Sequence, residues 1–483
     1  MTDFLVRFVE FWDPVLLWYF GLLNLFYGVL FGFSVFEAWK HWILASRLHA
    51  TERLPAEAFP PVSVIVPAYN EQAVIVDSVE ALLDLDYPTH EVVVVNDAST
   101  DGTLDELDET FDLYPVPPAF PAVLDTAPVR GYHRSRTDPR LLVVDKAEGE
   151  CGGKAGAMNV GLNACRYPYC VTVDADTVVQ PSALRRMARS FLLSEERVVG
   201  TGGSIRVANG VRFDGGTPDE PSVPGNLVAG LQVPEYFRAF LFGRLGWNRM
   251  GGNLLISGAF GLYDKSLLME VGGFEETSIT EDLELTVSMH RLMRERGEPY
   301  SLPFVPDPVA WTEVPESLEV LGNQRERWHR GLLASLFRHI RMFGNPRYGL
   351  AGLVAFPYYA LGEMMAPVME VVGLAVVGAG LWLDVLSPTY ALLFFGLAYG
   401  YQMLLTVASV WLEQLTFRVY SSVKEYVKLL LLAVVETFGY RQLTTWWRLR
   451  AFGAFLRDVG GWGEMVRTGF GEDAASGGGT VQQ

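Results

Sequence analysis

Four apolar runs bracket a middle that has none. Val15 to Phe36, Leu350 to Leu383, Tyr390 to Leu412 and Leu429 to Phe438 carry the apolar excess of this chain, and the long stretch between the first and second has ordinary globular composition. About twenty consecutive apolar residues suffice to cross a bilayer core as a helix. A chain so arranged is expected to be a soluble domain held between membrane segments. The overall 50% hydrophobic content and mean hydropathy of +0.19 are high for a wholly soluble protein.

The flanks of the first run set an orientation. Trp12, Trp18 and Trp39 stand as interfacial anchors, and Lys40, His41, Arg47 and Arg53 follow it. The positive-inside rule then puts the next domain in the cytoplasm. The start lacks a basic leader and a small-residue cleavage site, so the run reads as an anchor and not a signal peptide. The expected location is the cell inner (plasma) membrane, multi-pass, with the central domain cytoplasmic.

A formal net charge of −18 argues against nucleic acid as a partner, because binding a phosphate backbone needs a basic footprint. The acidic stretch Asp101 to Asp112 reads as a solvated helix face. Three cysteines, Cys151, Cys165 and Cys170, show neither metal spacing nor an even disulfide count, which suits a reducing compartment.

Within the middle, Leu54 to Pro61 is a proline-rich linker. Val62-Ser63-Val64-Ile65-Val66-Pro67 is a β-branched run, followed by a helix pattern and then Glu91-Val92-Val93-Val94-Val95. Strand, helix, strand at this spacing predicts a parallel sheet with both faces buried. Ligands of such sheets lie beyond the carboxyl ends of the strands, where Asn70, Glu71, Asp97 and Asp101 fall. Tyr114 to Pro139 is expected to be an irregular surface excursion, and Leu141 to Val144 resumes a strand. Gly152-Gly153-Lys154 follows, able to bring backbone N–H groups and an ammonium to a phosphate, though it lacks P-loop spacing. Tyr169 to Val173 is a further strand that delivers Asp174-Ala175-Asp176. Two carboxylates one residue apart at a strand end suit a shared Mg²⁺ or Mn²⁺, since hard oxygen ligands fit these ions and a diphosphate completes the shell.

Further on come the segment around Glu235, the turn Ile256-Ser257-Gly258, and Thr280-Glu281-Asp282 opening a helix whose early acids suit its positive end. Gln324, Arg327 and Trp328 share one helical face. They offer an amide, a fork that pairs with phosphate and an apolar plate for a sugar ring.

Together Val66-Pro67-Ala68-Tyr69-Asn70-Glu71, Asn96-Asp97-Ala98-Ser99-Thr100-Asp101-Gly102, Gly153-Lys154, Asp174-Ala175-Asp176, Thr280-Glu281-Asp282 and Gln324-x-x-Arg327-Trp328 occur in an order that resembles the processive family 2 glycosyltransferases. That group includes cellulose, hyaluronan, chitin-oligosaccharide and poly-N-acetylglucosamine synthases. The resemblance covers about residues 62 to 340. It implies an α/β GT-A-type catalytic domain, Rossmann-like with a mostly parallel sheet, plus an α-helical transmembrane region. It implies a UDP-sugar donor, UDP-GlcNAc first and UDP-glucose second, and a growing glycan or a lipid as acceptor. Ala68, Asn70, Glu71, Asp97, Lys154, Asp174 and Arg327 would hold the nucleotide and its diphosphate, and Asp174 and Asp176 the metal. Asp282 would be the general base, with Thr280 and Glu281 in the same catalytic motif. Gln324, Trp328, Ser257 and Glu235 would face the acceptor. A single base implies inversion. Membrane lipid and accessory export proteins would be further partners. Asn96 departs from the acid often found before Asp97 in relatives, and no cyclic-dinucleotide arginine motif follows the membrane region.

The division expected is an N-terminal helix and linker (1–54), the catalytic domain (55–331), an amphipathic interface helix (332–348), a C-terminal membrane region of two or three spans (349–467) and a disordered tail (468–483). Glu363 and Glu370 lie within the second apolar run, where a carboxylate is costly. They are expected to line a sugar path or to partner arginines on neighbouring helices. Lys428 to Trp447, interrupted by Glu436 and Arg441, reads as re-entrant or interfacial, which keeps Arg448, Arg450 and Arg457 inside. The competing readings are a glycolipid synthase making single transfers and a transporter or scaffold with an inactive domain.

Overall fold

The computed structural model describes residues 2–48, 54–118, 122–148, 153–214 and 216–457. Cys151, Gly152, Arg53 and the tail 468–483 lie outside them. The β-branched runs do form strands: β1 (Val62–Ala68), β2 (His90–Asp97), β5 (Leu141–Lys146) and β6 (Tyr169–Val173). They lie side by side in the order β5-β2-β1-β6, all parallel. Every residue of β2 and β5 is buried, as expected where helices cover both faces of a sheet.

The stretch Tyr114 to Pro139 corrects one expectation. It contributes β3 (Leu113–Val116) and β4 (Val129–Ser135), which pair antiparallel and extend the sheet beyond β5. On the other side β6 is followed antiparallel by β9 (Phe260–Asp264), then by β8 (Gly200–Val207), β10 (Phe304–Thr312) and β7 (Thr177–Val179). One ten-stranded sheet results, with a parallel centre and margins that are antiparallel except for the parallel pair of β8 with β10. This is the expected GT-A-type α/β architecture joined to a helical region.

The helices that flank the domain are longer than their apolar cores. The first runs from Thr2 to Leu48, with Pro14 inside it. Two described segments are long and apolar enough to cross a membrane, Thr2–Ile43 and Pro388–Thr416. A third would be the pair Ala351–Met364 and Ala366–Trp382, bent by 47°. Pro367 in the first turn of Ala366–Trp382 accounts for that break, because proline cannot donate the bond that would continue the preceding helix. Phe11, Trp18, Leu22 and Leu25 on the first helix and Leu392, Leu404 and Leu415 on the other stay exposed, the pattern of helices whose outer surface faces lipid.

Residues 332–348 do not form a separate interface helix. One helix, Leu318–Arg338, carries both the Gln324/Arg327/Trp328 face and the amphipathic stretch, and short 3₁₀ turns follow. Its partner is the helix Tyr440–Leu456. Phe337 stacks on Phe455 at 5.8 Å, His329 meets the Phe452 ring at a tilt at 5.2 Å, and Arg450 pairs with Glu326 at 3.3 Å. The preceding helix, Val423–Val435, has 13 residues, too few to span about 30 Å of hydrocarbon at 1.5 Å per residue.

Glu363 and Glu370 are brought to arginines of that same helix. Arg448 lies 3.5 Å from Glu363, and Arg441 lies 3.6 Å from Glu370, whose carboxylate also accepts from Tyr399 at 2.8 Å and Thr445 at 3.1 Å.

Candidate active site

The carboxyl ends of the four parallel strands define one rim. At the end of β2, Asp97 is 8% exposed and takes a very short bond from the ammonium of Lys146, the last residue of β5. The register makes this pair, since Asp97 and Lys146 sit opposite each other across the two strands. Burial raises the Asp97 carboxyl above its ordinary range, and Lys146 opposes the rise. Sequence reasoning missed Lys146 because the β-branched run stops at Val144. The signal was the strand end itself, two residues later.

Ala68 closes β1 and is fully buried. Asn70, in the left-handed region at φ 56°, accepts from the Thr100 N–H at 2.8 Å on its side-chain oxygen and donates its own N–H to Ser99 Oγ at 3.1 Å. Glu71 donates its N–H to Thr103 at 2.9 Å and is buried. These two residues tie the loop after β1 to the loop after β2.

At the end of β6 a second group assembles. The ammonium of Lys154, in the first turn of the helix Gly153–Ala164, lies 2.6 Å from Asp174 and 3.2 Å from Glu281. Burial works against its charge, but Asp174 and Glu281 hold it protonated above the ordinary lysine range. Asp282 accepts from the Gly258 N–H at 3.0 Å on one oxygen and from the Leu283 N–H at 2.8 Å on the other. Burial and the neighbouring Glu281 push its carboxyl up to about 6, while Lys154 and the two N–H groups hold it down. A carboxylate poised there is both ionised near neutrality and basic enough to accept a proton. Ser257 precedes the Gly258 donor, and Asp176 is 7% exposed beside β7.

Asp174 and Asp176 offer hard oxygen donors from one strand end, the set that suits a divalent cation bringing further oxygens with it. Among the described residues no three His, Cys, Asp or Glu side chains converge as a complete metal cage. The donor set therefore fits an ion shared with a phosphate-bearing ligand.

The helix Leu318–Arg338 reaches this group through Gly331. A Cβ there would lie 2.3 Å from the Thr280 side chain, so only glycine allows the helix to close on the Thr280-Glu281-Asp282 turn. Arg325 spreads over the Trp328 ring at 4.5 Å and bonds Glu235 at 2.9 Å. The same Glu235 oxygen accepts from Tyr440 at 2.7 Å. Trp328 keeps 39% of its surface exposed, and the side-chain oxygen of Gln324 is buried without a protein partner among the described residues. The structure thus gathers Lys154, Asp174, Glu281, Asp282 and Ser257 closely. It sets Asp97 with Lys146 apart from them, and it makes Glu235 a bridge under the Trp328 face.

Two family descriptions match the chain: "Glycosyl transferase family 2" over residues 63–120 and "Glycosyltransferase like family 2" over residues 129–331. Among curated proteins, the poly-β-1,6-N-acetyl-D-glucosamine synthase of Staphylococcus aureus (strain COL) is 25% identical over 340 residues, 67% of this chain and 70% of that protein. The synthase of the same name from Staphylococcus epidermidis is 25% identical over 270 residues, 56% of this chain and 54% of that protein. Among solved structures, a mannosyltransferase from Pyrobaculum calidifontis in complex with GDP-Man and Mn²⁺ is 21% identical, with 87% of this chain and 99% of that chain covered and a TM-score of 0.48. Staphylococcus aureus TarS 1–349 in complex with UDP-GlcNAc is 17% identical, with 79% and 92% covered and a TM-score of 0.38.

Proposed function

Because the chain belongs to the family 2 glycosyltransferases, we propose that it is a membrane-embedded, inverting enzyme that uses a UDP-sugar, UDP-GlcNAc first and UDP-glucose second, to extend a β-linked polysaccharide. The observation that carries this reading is the pairing of Asp282 with the Lys154/Asp174/Glu281 group. A raised carboxyl stands beside a diphosphate-compatible cluster at the carboxyl end of a parallel sheet. The curated relatives support the choice of GlcNAc and of a polymer as product.

In this reading Asp97, held by Lys146, takes the uracil end of the donor, with Ala68, Asn70 and Glu71 forming the adjoining rim. Lys154 and Arg327 lie along the diphosphate. Asp174 and Asp176 would hold Mg²⁺ or Mn²⁺, which when bound supplies positive charge against the charge growing on the departing UDP. The acceptor sugar lies on Trp328, beside Gln324 and Ser257, with Glu235 fixing Arg325 beneath the indole. Asp282 removes the proton from the acceptor hydroxyl as its oxygen bonds to the anomeric carbon. The bond from that carbon to the diphosphate oxygen breaks on the opposite face, and UDP leaves with the electron pair. An α-linked donor gives a β-glycoside, and no covalent intermediate is needed.

The test is UDP release by the full-length protein in nanodiscs with Mg²⁺ or Mn²⁺ against a panel of UDP-sugars, with product sizing on gels. Turnover of one donor with a product ladder is expected. Single-sugar lipid products would replace the polymer with a glycolipid, and no turnover with any donor would overturn the assignment.

A further inference from the structure

Arg244 is a charged group that the reaction so far does not use. It closes the π-helical turn Arg238–Arg244, where the catalytic sheet meets the membrane helices. In that turn the Phe242 carbonyl accepts from Ser34 of the first helix at 2.6 Å. Two residues beyond Arg244, a Cβ on Gly246 would lie 2.6 Å from the Leu30 carbonyl oxygen of the same helix. Arg244 is therefore fixed against the N-terminal membrane helix, and inserted turns of this kind gather at functional sites.

Its surroundings differ from those of the other buried arginines nearby. Arg206 has Glu413 at 3.9 Å, Arg238 has Glu436 at 2.8 Å and Arg325 has Glu235 at 2.9 Å. The Arg244 guanidinium lies over the Phe240 ring at 4.1 Å, and its Nη1 is buried with no hydrogen-bond partner among the described residues. The titratable groups that act on it include the Asp282 carboxyl and the neutral phenols of Tyr359, Tyr236 and Tyr263. Around the same carboxylate, the hydroxyls of Tyr263 and Thr280 are also buried without a protein partner among the described residues. Each unmet buried group costs about 1–3 kcal/mol, more where it is charged. Several of them around one basic carboxylate suit a ligand rich in hydroxyl and ring oxygens.

We infer that Arg244 is an acceptor-binding residue whose guanidinium donates to the oxygens of the acceptor's terminal sugar and holds it against Asp282 from the membrane side. This deepens the reading above and rests on it, specifically on Asp282 as the base. Stacking on Phe240 orients the planar guanidinium, and the fork can serve two adjacent oxygens at once, which a lysine cannot do. Trp328 and Arg244 then grip the acceptor from the catalytic and the membrane sides respectively.

The test uses the full-length protein in nanodiscs, with the donor that wild type turns over and β-linked N-acetylglucosamine oligosaccharides as titrated acceptors. Arg244→Met is expected to raise acceptor KM about tenfold or more, the loss of one or two hydrogen bonds, with donor KM within twofold of wild type and Arg244→Lys between the two. An unchanged acceptor KM in Arg244→Met, or donor KM rising in step with it, overturns the inference while leaving the transferase reading standing. Should Arg244→Met fail to fold, Arg244→Lys decides alone by the same split. If Asp282→Asn turns over like wild type, the base assignment fails first and takes this inference with it.

Discussion

Carboxylates are buried in both halves of this molecule, and they are treated in opposite ways. In the membrane-side half the buried ones each have a cation of their own, Glu436 with Arg238 at 2.8 Å, Glu370 with Arg441 at 3.6 Å and Glu413 with Arg206 at 3.9 Å, and the partly exposed Glu363 has Arg448 at 3.5 Å. Around Asp282, apart from the one-to-one pair of Asp97 with Lys146, a single ammonium, Lys154, serves Asp174 and Glu281 and reaches Asp282 as well. One-to-one pairing neutralises charge and pins helices together. Undercompensation leaves negative charge available, which draws a cation and keeps one carboxyl basic. The same residue types therefore make scaffold in one region and chemistry in the other.

The largest expected effect removes the basic carboxylate. Asp282→Asn should lower kcat by at least about 10³-fold, within the range by which a positioned base accelerates proton transfer, with donor affinity little changed in a UDP-binding titration. Retention of more than a tenth of wild-type kcat would remove Asp282 from the mechanism. The matching change on the scaffold side is Glu436→Gln. It strands Arg238, which among the described residues keeps the hydrogen bond to Thr406, and should cost up to about 3 kcal/mol, since breaking a buried pair leaves a charge uncompensated. Faster thermal inactivation in detergent with an unaltered kcat is the expected reading. Replacing both partners, Arg238→Leu with Glu436→Leu, should recover much of that loss. An equally unstable double variant would mean that the pair does more than neutralise charge.

A somewhat smaller effect tests the shared cation. Lys154→Met should lower kcat about 10²-fold, the order of one electrostatic contact in a water-poor site. It should also move the acid limb of the rate–pH profile upward, because Lys154 is among the groups that hold the Asp282 carboxyl down. A limb that stays in place or moves downward would show that Lys154 does not act on the base.

The parallel centre of the sheet was legible because strands buried on both faces must be apolar throughout, and Val62 to Pro67, Glu91 to Val95 and Tyr169 to Val173 say so without help from distant residues. The mixed margin was not. Gly200–Val207 begins Gly-Thr-Gly-Gly-Ser, and its strand identity comes from pairing with Phe260–Asp264 and Phe304–Thr312. For the site, the motif residues and their strand ends could be read, but not their partners. Lys146 is defined by register, Arg325 by a helix packing on Glu235, and Arg244 by a π turn that no local pattern announces. Hydropathy found the apolar cores of the membrane helices and missed their polar extensions. It also divided Leu318–Arg338 in two, because its two halves present different faces to different neighbours.

The smallest effect concerns stability, and it separates the two regions most cleanly. The Asp282 carboxyl is raised to about 6 in the fold, against about 3.9 in an unfolded chain. The folded state therefore favours the protonated form. Its contribution is fully present below about pH 4 and is lost as pH rises through about 6, so that at neutral pH an ionised Asp282 strains the fold. Asp282→Asn removes that charge but keeps only one of the two acceptors that meet the Gly258 and Leu283 N–H groups, so the net gain in stability at pH 7 should be on the order of 2 kcal/mol or less and should fade as pH falls towards 4. Thermal unfolding of the two proteins across that pH range is the measurement. Burial raises the Glu436 carboxyl too, but its removal leaves the Arg238 guanidinium without its carboxylate, so Glu436→Gln should lose stability at pH 7 where Asp282→Asn gains it. If both substitutions destabilise alike at pH 7, Asp282 is as well compensated as Glu436, and the contrast between a neutralised scaffold and an undercompensated catalytic cluster does not hold.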